Sequence, residues 1–581
     1  MKMKQIISLL LSAVMVLGII SGCSNNQPET TDPTQDTTPS QTQELPTQGT
    51  KVPETTAPVT SATVLSAEKD AELHADLQAR IDEILNTKTE IVHSDTYIPG
   101  ETYTGTAYYV SNDGDDNNDG LTPETAWQSV SKLLQELDQR EGCVLKPGDA
   151  IFLRRGDTFR LPDWNLFVSL SGVSISAYGD GEKPIITASS ENGSGAEKWE
   201  LIYEDDSGKK IWKFYKDMRD VSMIVLNDGE AFSTRVYEFF GENGYVSCED
   251  TDWWMHEDNG VTLSDTLLSL EESMTEDLNM ISRPAWYKND DGRVCDFTKG
   301  PVYLRCDSGN PGDLYSSIEF TEADRNGIMG LNASDCVLDN ISFRSAGYTY
   351  IGGAKGIKNI IIQNCEFAYG GGCVDSFESD DMGNHRIIVH GDGIYGVGQN
   401  ATIDNCYFHD ATSTTCTYEA PEAWTDCASG YYHVFDNVMV NTMGVRLDST
   451  FEHWKYMDSV VIRGNQIWNN GAKDRGKYFY SEGSVVLWPN HYGECIIEDN
   501  VFYGTENGYE SNGLLNVWFY KDRGDTVPQI RNNIYVQHNG GSFGYFDMCR
   551  PNHIWEIDDP ELLTKAAEYL GDTTSQFYII E

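Results

Sequence analysis

The sequence predicts an all-β protein built as a solenoid of stacked coils. The prediction rests on a repeated sequence phrase, on the spacing of its copies and on its central Asn. Seven times in the second half of the chain, an apolar or β-branched pair is followed by an Asn and a second apolar pair. The aligned asparagines are Asn340, Asn364, Asn405, Asn437, Asn465, Asn500 and Asn533. Successive asparagines lie 24, 41, 32, 28, 35 and 33 residues apart, a loose period that is typical of solenoids.

The Asn of each phrase suits a bend between two strands for two reasons. Asn tolerates the left-handed backbone region, and its amide can bond to the next Asn of the stack. The smallest spacing, 24 residues, approximates a bare coil, and the longer spacings carry loops. Such loops gather on one face of a solenoid and build a groove, so a long polymer is the predicted ligand.

The N-terminus predicts export. Lys2 and Lys4 precede an apolar run over residues 6–20, which ends in ISGC at Cys23. Residues 1–22 resemble a bacterial lipoprotein signal peptide, which implies cleavage before Cys23 and its acylation; a plain signal peptide with a chance Cys is the alternative. No later segment is long and apolar enough to span, so we expect a protein that faces outside and touches the membrane only through its lipid anchor.

Composition limits the partners. Residues 23–64 are rich in Thr, Pro and Gln and predict a disordered tether. The whole chain has 91 acidic and 41 basic residues and a formal charge of −50, which excludes nucleic acid as a partner. Cys365 and Cys406 follow their asparagines directly, and no CxxC motif occurs. We therefore expect scattered buried thiols and a monomer, with a disulfide between neighbouring coils left open.

The folded body divides into five predicted parts. Residues 65–106 hold an amphipathic helix that caps or packs against the solenoid, and a lead-in. Residues 107–189 form the first coils, and residues 190–319 lack the phrase and read as an inserted β-rich module. Residues 320–550 hold the main repeats with the substrate groove, and residues 551–581 a C-terminal helix and tail.

Three segments of the early body carry a family resemblance: AYYVSNDGDDNNDGLTPETAWQSVSKLLQEL, LKPGDAIFLRRGDTFR and SGVSISAYGDGEKPII. They resemble the entry of secreted right-handed parallel β-helix proteins of the pectate-lyase-like superfold, which includes polysaccharide lyases and glycoside hydrolases. The resemblance covers residues 107–186 in motif detail and residues 326–536 in repeat style. It implies a right-handed parallel β-helix and a carbohydrate-active enzyme, although one superfold hosts many reactions.

Candidate site residues follow from side-chain alternation in the strand that precedes each phrase. If the aliphatic residues of these strands, for example Val445 and Leu447, face the core, the residues between them form a row that faces outward. That row contains Tyr350, Tyr395, Glu419, Arg446, Asp448, Trp488, Asn516 and Trp518. A slip of one residue would reverse every assignment.

The outward row predicts acid–base chemistry on a sugar. Glu419 and Asp448 lie on neighbouring strands, roughly 4.8 Å apart, near the ~5 Å carboxyl separation of a retaining glycosidase. Crowding should raise one pKa, giving an acid beside a base or nucleophile. Arg446 would orient one carboxylate, Asp392 adds another, and Tyr350, Tyr395, Trp488, Trp518 and Asn516 would bind sugars. Solvated carboxylates and a plain Arg446–Asp448 ion pair are the alternative. Further carboxylates near this face are Glu378, Asp380, Asp381 and Glu482.

Three functions remain open. The leading one is a surface-anchored glycoside hydrolase that cleaves a polysaccharide or oligosaccharide. The second is a polysaccharide lyase that uses a basic stretch on an acidic glycan, and the third is a non-catalytic glycan-binding or adhesive surface protein. The lyase would draw on Arg446, Lys455, Arg463, Lys473, Arg475, Lys477, His390, His433 and His453. The calcium-binding carboxylate pattern expected of pectate lyases is absent from these strands.

One loop has half of a calcium motif. Asp115, Asn117 and Asp119 place oxygens at alternate positions before Gly120, but the twelfth position is Ala126 instead of Glu. A plain Asp/Asn/Gly turn is the alternative, and any calcium here would be structural. No phosphate-binding loop and no GxSxG elbow occurs in the sequence. We expect that the predicted chemistry requires no cofactor.

Overall fold

The computed structural model describes most of the chain from residue 62 onward. The described ranges are 62–88, 91–162, 165–219, 221–233, 235, 250–251, 253–255, 300–322, 327–354, 356–379, 385–396, 399–412, 414–420, 430–449, 456–468, 484–487, 491–504, 514–517, 527–538, 543–545 and 572–580. The signal peptide, Cys23 and the predicted tether up to residue 61 lie outside them. The predicted end of the tether at residue 64 was wrong, because Thr63–Val64 is a strand that pairs with Gln576–Ile580. No helix in these ranges is long and apolar enough to cross a membrane.

Three long sheets of parallel strands form the body, and the chain visits them in turn. Sheet 1 contains Ala107–Val110, Ala150–Arg154, Ser174–Tyr178, Cys336–Asp339, Lys358–Gln363, Gln399–Asp404, Tyr431–Phe435, Tyr456–Arg463, His491–Glu498 and Gln529–Arg531. Sheet 2 contains Thr158–Arg160, Ile185–Thr187, Ser342–Arg344, Glu366–Ala368, Tyr407–His409, Val438–Val440, Gln466–Trp468, Val501–Tyr503, Ile534–His538, Gln576–Ile580 and Thr63–Val64. Sheet 3 contains Leu166–Val168, Met329–Leu331, Thr349–Gly353, Asp392–Tyr395, Thr414–Ala420, Met443–Ser449, Val485–Leu487, Leu515–Val517 and Gly544–Tyr545. The predicted fold class, an all-β parallel β-helix, is confirmed.

The core runs along the axis of the β-helix because equivalent residues of successive coils stack on one another. In sheet 2, Phe343, Phe367 and Phe408 pair in register, with ring centroids 5.2 and 4.6 Å apart and nearly parallel planes. All three side chains are buried. A column of this kind removes a large apolar area from water at every coil.

The asparagines of the repeated phrase occupy two columns, where the sequence predicted one. Asn340, Asn364 and Asn405 lie at the bend itself, with φ values of 58°, 54° and 51°. Their bend position is filled in later coils by Asp436, Gly464, Asp499 and Asn532, which also have positive φ. The other four phrase asparagines come one residue later and are fully buried; they are Asn437, Asn465, Asn500 and Asn533. The single alignment was therefore wrong by one position for part of the set.

The buried column is a ladder of amides. Oδ1 of Asn465 accepts hydrogen bonds from the backbone and side chain of Asn437, both at 3.0 Å, and the same contacts link Asn465 to Asn500 and Asn500 to Asn533. The ladder begins at Cys406, whose backbone N–H donates to Asn437 at 2.8 Å. Every buried amide is thereby satisfied within the stack.

Helix α1, Ala67–Asn86, lies along the outer face of sheet 2. Leu73 packs in one cluster with Trp468, Tyr503 and Val536, while Arg80 reaches the carbonyl of Asp436 at 2.8 Å. The structure thus favours the packing alternative for this helix over the capping one. Helix α2, Val130–Leu137, instead packs into the main core at the first coils.

Antiparallel strands are added between the coils. Within residues 190–319, which the sequence assigns to an inserted module, the structure has a sheet of Trp199–Glu204, Lys210–Phe214, Val302–Arg305 and Trp253–Met255. A second sheet joins Ala231–Ser233, Val221–Leu226 and Ile318–Glu322. A further antiparallel pair is the hairpin Cys373–Ser379 with His385–His390. Before the first coil, Val92–His93 pairs with Thr102–Tyr103 in parallel. The described part of the chain also contains the short helix α3, Pro311–Leu314, and three 3-10 turns, Pro123–Thr125, Ala196–Lys198 and Asn227–Gly229.

The cysteines whose side chains the structure describes are free thiols, and all but Cys143 are buried; they are Cys143, Cys306, Cys336, Cys365, Cys406, Cys416 and Cys495. Cys365 and Cys406 occupy the same slot of adjacent coils, and the backbone N–H of Cys365 lies 3.5 Å from Sγ of Cys406. Within the described ranges this matches the predicted scattered thiols. The predicted C-terminal helix lies outside the described residues, whereas Gln576–Ile580 forms a strand of sheet 2 that the sequence did not predict.

Candidate active site

The two candidate carboxylates are direct partners in the register of sheet 3. The strands Thr414–Ala420 and Met443–Ser449 run parallel, with Cys416 opposite Val445 and Glu419 opposite Asp448. Neighbouring strands of a sheet lie roughly 4.8 Å apart. The backbone therefore places Glu419 and Asp448 side by side on adjacent coils; their side chains lie outside the description.

The inward phase of these strands agrees with the sequence. Cys416, Val445 and Leu447 are buried in the main core, as are Val485, Leu487, Leu515 and Val517. Because Glu419 lies three residues after Cys416, and Asp448 three after Val445, alternation puts both on the outward side if it persists to the strand ends. A slip of one residue is excluded for the strand interiors.

The outward row of sheet 3 is more enclosed than the sequence suggested. Five residues on successive strands are paired in register along this row. In order they are Tyr395, Thr417, Arg446, Val486 and Asn516. Thr417 and Asn516 are buried, while Tyr395 and Arg446 are half-buried. Polar groups in this row are thus shielded from bulk water, which strengthens electrostatic interactions there.

Tyr350 does not belong to this outward row. Its side chain is only 2% exposed and is part of the main core, with its ring 5.4 Å from that of Phe367. Ile351 is buried in the same core, so two successive residues point inward where the strand begins. Strict alternation fails at this corner, and the predicted role of Tyr350 in sugar binding was wrong.

Asp392 is separated from the carboxylate pair. It lies two residues before Ile394, which is opposite Cys416, whereas Glu419 lies three residues after Cys416. Five positions along a strand correspond to roughly 16 Å. The register therefore does not bring Asp392 to the pair.

The remaining carbohydrate-binding candidates lie outside the description. Trp488 and Trp518 follow Leu487 and Val517, which continue the register of Leu447. Their own placement is not described, and neither is that of Asp380, Asp381 or Glu482. Glu378 lies on the hairpin strand Cys373–Ser379, with its side chain outside the description.

The basic stretch of the lyase hypothesis is divided between sheets. Arg446 lies on sheet 3, but Arg463 ends a strand of sheet 1, where its guanidinium lies 4.7 Å from the ring centre of Phe435. His433 also lies on sheet 1, between the rings of Tyr431 and Phe435. His390 lies on a hairpin strand, and the other members, Lys455, Lys473, Arg475, Lys477 and His453, lie outside the description. Arg446 and Arg463 therefore cannot act in one site.

The half calcium motif is held together by its own hydrogen bonds. Oδ1 of Asp115 accepts from the backbone and side chain of Asn117 at 2.9 and 2.8 Å. Oδ1 of Asp119 accepts from the backbone of Leu121 at 3.0 Å and from Thr125 at 2.7 Å. No group of three His, Cys, Asp or Glu placed to hold a metal occurs in the described ranges. These contacts fit the plain-turn alternative, and calcium binding here remains an untested prediction.

A buried charged cluster on sheet 2 was missed from the sequence. Arg344 donates to Glu366 at 2.8 Å, and the two ring nitrogens of His409 lie 3.2 Å from Glu366 and 2.8 Å from Asp410. Burial alone would raise the pKa of Glu366, but Arg344 and His409 outweigh it and hold that pKa well below its usual range. Burial would likewise lower the pKa of His409, but Asp410 and Glu366 outweigh it and raise it.

The inserted strands cover this cluster. The hydroxyl of Tyr369 donates to the carbonyl of Asp228 at 2.9 Å, and burial raises the pKa of Tyr369 to about 12. Its ring meets that of His409 edge-on at 5.2 Å. Side-chain alternation in the sequence could have predicted this cluster. Glu366 and His409 each lie next to an inward-facing Phe, so both must face outward. The contacts fit a structural role that ties the inserted strands to sheet 2.

Comparison with known proteins yields one curated relative and several distant structures. No protein-family model matches the chain. A lacto-N-biosidase of Bifidobacterium longum subsp. longum is 23% identical over 495 residues, covering 80% of this chain. The chain spans 28% of the length of that relative.

Several solved structures match the chain at low similarity. A complex of XylC with xylose is 10% identical, covers 76% of this chain and 70% of its own, and has a TM-score of 0.38. A glycoside hydrolase is 10% identical, covers 79% and 98%, and has a TM-score of 0.37. The GH136 lacto-N-biosidase from Eubacterium ramulus is 12% identical, covers 82% and 68%, and has a TM-score of 0.28.

Proposed function

We propose that this protein is a glycoside hydrolase that cleaves a glycan at Glu419 and Asp448. The observation that carries the proposal is the register of sheet 3, which makes these two residues partners on adjacent strands. The similarity to a lacto-N-biosidase over 80% of the chain supports the reaction class. On the same ground, a lacto-N-biosyl group is the first substrate to test.

The proposed reaction is a double displacement. One carboxyl group donates its proton to the glycosidic oxygen, so that the aglycone leaves, while the other carboxylate attacks the anomeric carbon and forms a glycosyl ester. The first group, now ionised, takes a proton from water, which attacks the ester and releases the sugar with its configuration retained. No cofactor enters this cycle.

Arg446 is the proposed positioning residue. It lies two residues before Asp448 on the same strand and is half-buried, opposite the buried Thr417. A cation in this enclosed row stabilises the ionised form of a neighbouring carboxylate. Asp448 would then serve as the nucleophile and Glu419 as the proton donor.

Export and anchoring complete the proposal. Acylation of Cys23 after the signal peptide would hold a monomeric enzyme outside the cell, with residues 24–61 as its tether. Membrane release by mild lipase treatment of cells, compared with a Cys23→Ala variant, tests this part separately.

The experiment for the reaction class uses residues 62–581, which keep the strand Thr63–Val64. The protein is incubated with a chromogenic lacto-N-bioside and with a panel of neutral and acidic glycans. New reducing ends are measured in parallel with the ultraviolet absorbance of unsaturated uronates, which only elimination produces. Reducing ends without absorbance are expected. Absorbance would indicate a lyase, and binding without product would indicate an adhesive protein.

A further inference from the structure

A buried lysine lies against the side-chain amide of an asparagine at the bend between sheets 1 and 2. Nζ of Lys183 donates to Oδ1 of Asn340 at 3.1 Å, and the two residues are 4% and 0% exposed. Lys183 comes just before the strand Ile185–Thr187, and Asn340 directly follows the strand Cys336–Asp339. Their coils are neighbours in the stack. The contact therefore joins residues 157 positions apart, across the whole insertion.

The surroundings of Lys183 favour its neutral amine. Burial lowers the pKa of Lys183, and the guanidinium of Arg155 lowers it further, although Cys365 and Asp339 act in the opposite direction. A lysine amine without its extra proton is a nucleophile, and burial beside a second cation is one way in which proteins produce it. Lys183 thus has a lone pair that can attack a carbonyl group in contact with it.

The amide of Asn340 is arranged as the electrophile. Its Oδ1 accepts a second hydrogen bond, from a guanidinium nitrogen of Arg155 at 3.0 Å, and Arg155 is itself 5% exposed. Negative charge that develops on this oxygen during attack at Cγ is stabilised by the guanidinium, as in an oxyanion hole. Arg155 is fixed in turn by a hydrogen bond to the carbonyl of Thr87 at 3.0 Å. Burial also keeps water, the competing nucleophile, away from the amide.

Asp339 contacts the nitrogen that would leave. Its Oδ2 accepts from Nδ2 of Asn340 at 3.0 Å and from the hydroxyl of Ser176 at 2.6 Å. Its Oδ1 accepts from the side-chain amides of Gln363 at 3.2 Å and Asn364 at 2.7 Å. These contacts hold the buried carboxyl group in place. A carboxyl group bonded to a leaving nitrogen can act as a general acid and base, which moves a proton onto that nitrogen.

We propose that Lys183 and Asn340 join in an intramolecular isopeptide bond. Nζ attacks Cγ of Asn340 and forms a C–N bond, and the bond between Cγ and Nδ2 then breaks. Asp339 takes one proton from Nζ and passes it to Nδ2, which leaves as ammonia, while Arg155 stabilises the oxygen of the intermediate. A primary amine and a primary amide become a secondary amide and ammonia, so the step needs no oxidant, reductant or cofactor.

The bond would tie the coil before the inserted strands to the coil after them. The chain itself connects these two coils only through the insertion, residues 190–319. A covalent link at the bend would keep the coils stacked and would restrict the unfolded chain by closing a long loop. This role lies beyond glycan cleavage and does not depend on it.

The test is the intact mass of residues 62–581 after denaturation, followed by tryptic peptide mapping. We expect a mass lower than that of the sequence by one ammonia. Trypsin does not cut between Lys183 and Pro184, so Lys183 lies in the peptide 161–198, and Asn340 lies in the peptide 326–344. A branched peptide that joins these two segments locates the bond.

Three variants assign the roles. Lys183→Met removes the amine, so the branched peptide should be absent and the mass should equal that of its sequence. Asp339→Asn removes the proton carrier and should lower the cross-linked fraction at least tenfold. Lys88→Met is the matched control: Lys88 is exposed and follows Thr87, which contacts Arg155, and its removal should leave the cross-link complete. Thermal unfolding of each variant checks that it folds.

A wild type with the full mass of its sequence and two linear peptides would overturn the proposal. Loss of ammonia confined to a linear peptide would also overturn it, since a succinimide at an Asn-Gly step gives the same mass change. Complete cross-linking in a folded Asp339→Asn variant would overturn the role of Asp339. The masses are independent of the activity assay, so this proposal and the proposed hydrolase fail separately.

Discussion

The Oδ1 atom of Asn533 accepts two hydrogen bonds from Asn500 of the preceding coil, one from its backbone and one from its side chain, each at 3.0 Å. Asn533 in turn donates through its amide to the carbonyl of Ile497 at 3.0 Å. Removing this side chain would leave buried donors of Asn500 without an acceptor. The ladder is therefore a main element of coil-to-coil cohesion.

Asn533→Ala should destabilise the β-helix by about 3 kcal/mol, since it leaves buried polar groups unsatisfied. The preceding residue offers a matched control: Asn532 is exposed and lies at the bend with φ 58°. Asn532→Gly should change stability by less than about 0.5 kcal/mol, because Gly accepts positive φ without strain. Urea unfolding of both variants measures the difference, and equal effects would disprove the ladder's role.

Docking of α1 depends on Leu73, which is 4% exposed and packs with Trp468 and Tyr503. Leu73→Ala should cost about 2–4 kcal/mol of local stability. Hydrogen exchange of the α1 amides should accelerate, while exchange in the ladder stays slow. Gln78→Ala, at an exposed position of the same helix, should leave both unchanged. Slow exchange in Leu73→Ala would mean that other contacts hold the helix.

The Glu366–His409 cluster predicts a pH window for stability. The pKa of Glu366 is lowered from 4.5, so its contribution is present above pH 4.5 and is lost as pH falls through the lowered pKa. The pKa of His409 is raised from 6.5, so its contribution is present below pH 6.5 and is lost as pH rises through the raised pKa. The groups facing His409 are Arg344, Glu366, Tyr369, Tyr407, Asp410 and Asp228.

The measurement is urea unfolding between pH 6 and pH 9. The wild type should lose about 1–3 kcal/mol more than His409→Gln over this range, since Gln does not titrate. His433→Gln is the control, because the pKa of His433 is lowered, mainly by burial, and its removal should leave the alkaline loss in place. Parallel pH curves for the wild type and His409→Gln would refute a charged His409.

The fold was predictable because the repeated phrase marks each passage from sheet 1 to sheet 2. The asparagine columns were confused because DNC at Asp404 and DNV at Asp436 look alike, although only the second places its Asn in the core. The prediction for Tyr350 failed because side-chain alternation holds within strands and breaks at the corners between them. The contact between Tyr369 and Asp228 joins segments 141 residues apart in sequence, and no local pattern reports such a contact.

The most direct test of the catalytic proposal is kcat for the wild type, Glu419→Gln, Asp448→Asn and Glu494→Gln on the substrate found in the glycan panel. Glu494 is an exposed carboxylate on sheet 1 and serves as the control. We expect Glu419→Gln and Asp448→Asn each to lower kcat by at least about 1000-fold with unchanged thermal unfolding, and Glu494→Gln to leave kcat unchanged. Activity within tenfold of the wild type in either folded variant would contradict the assignment of the site.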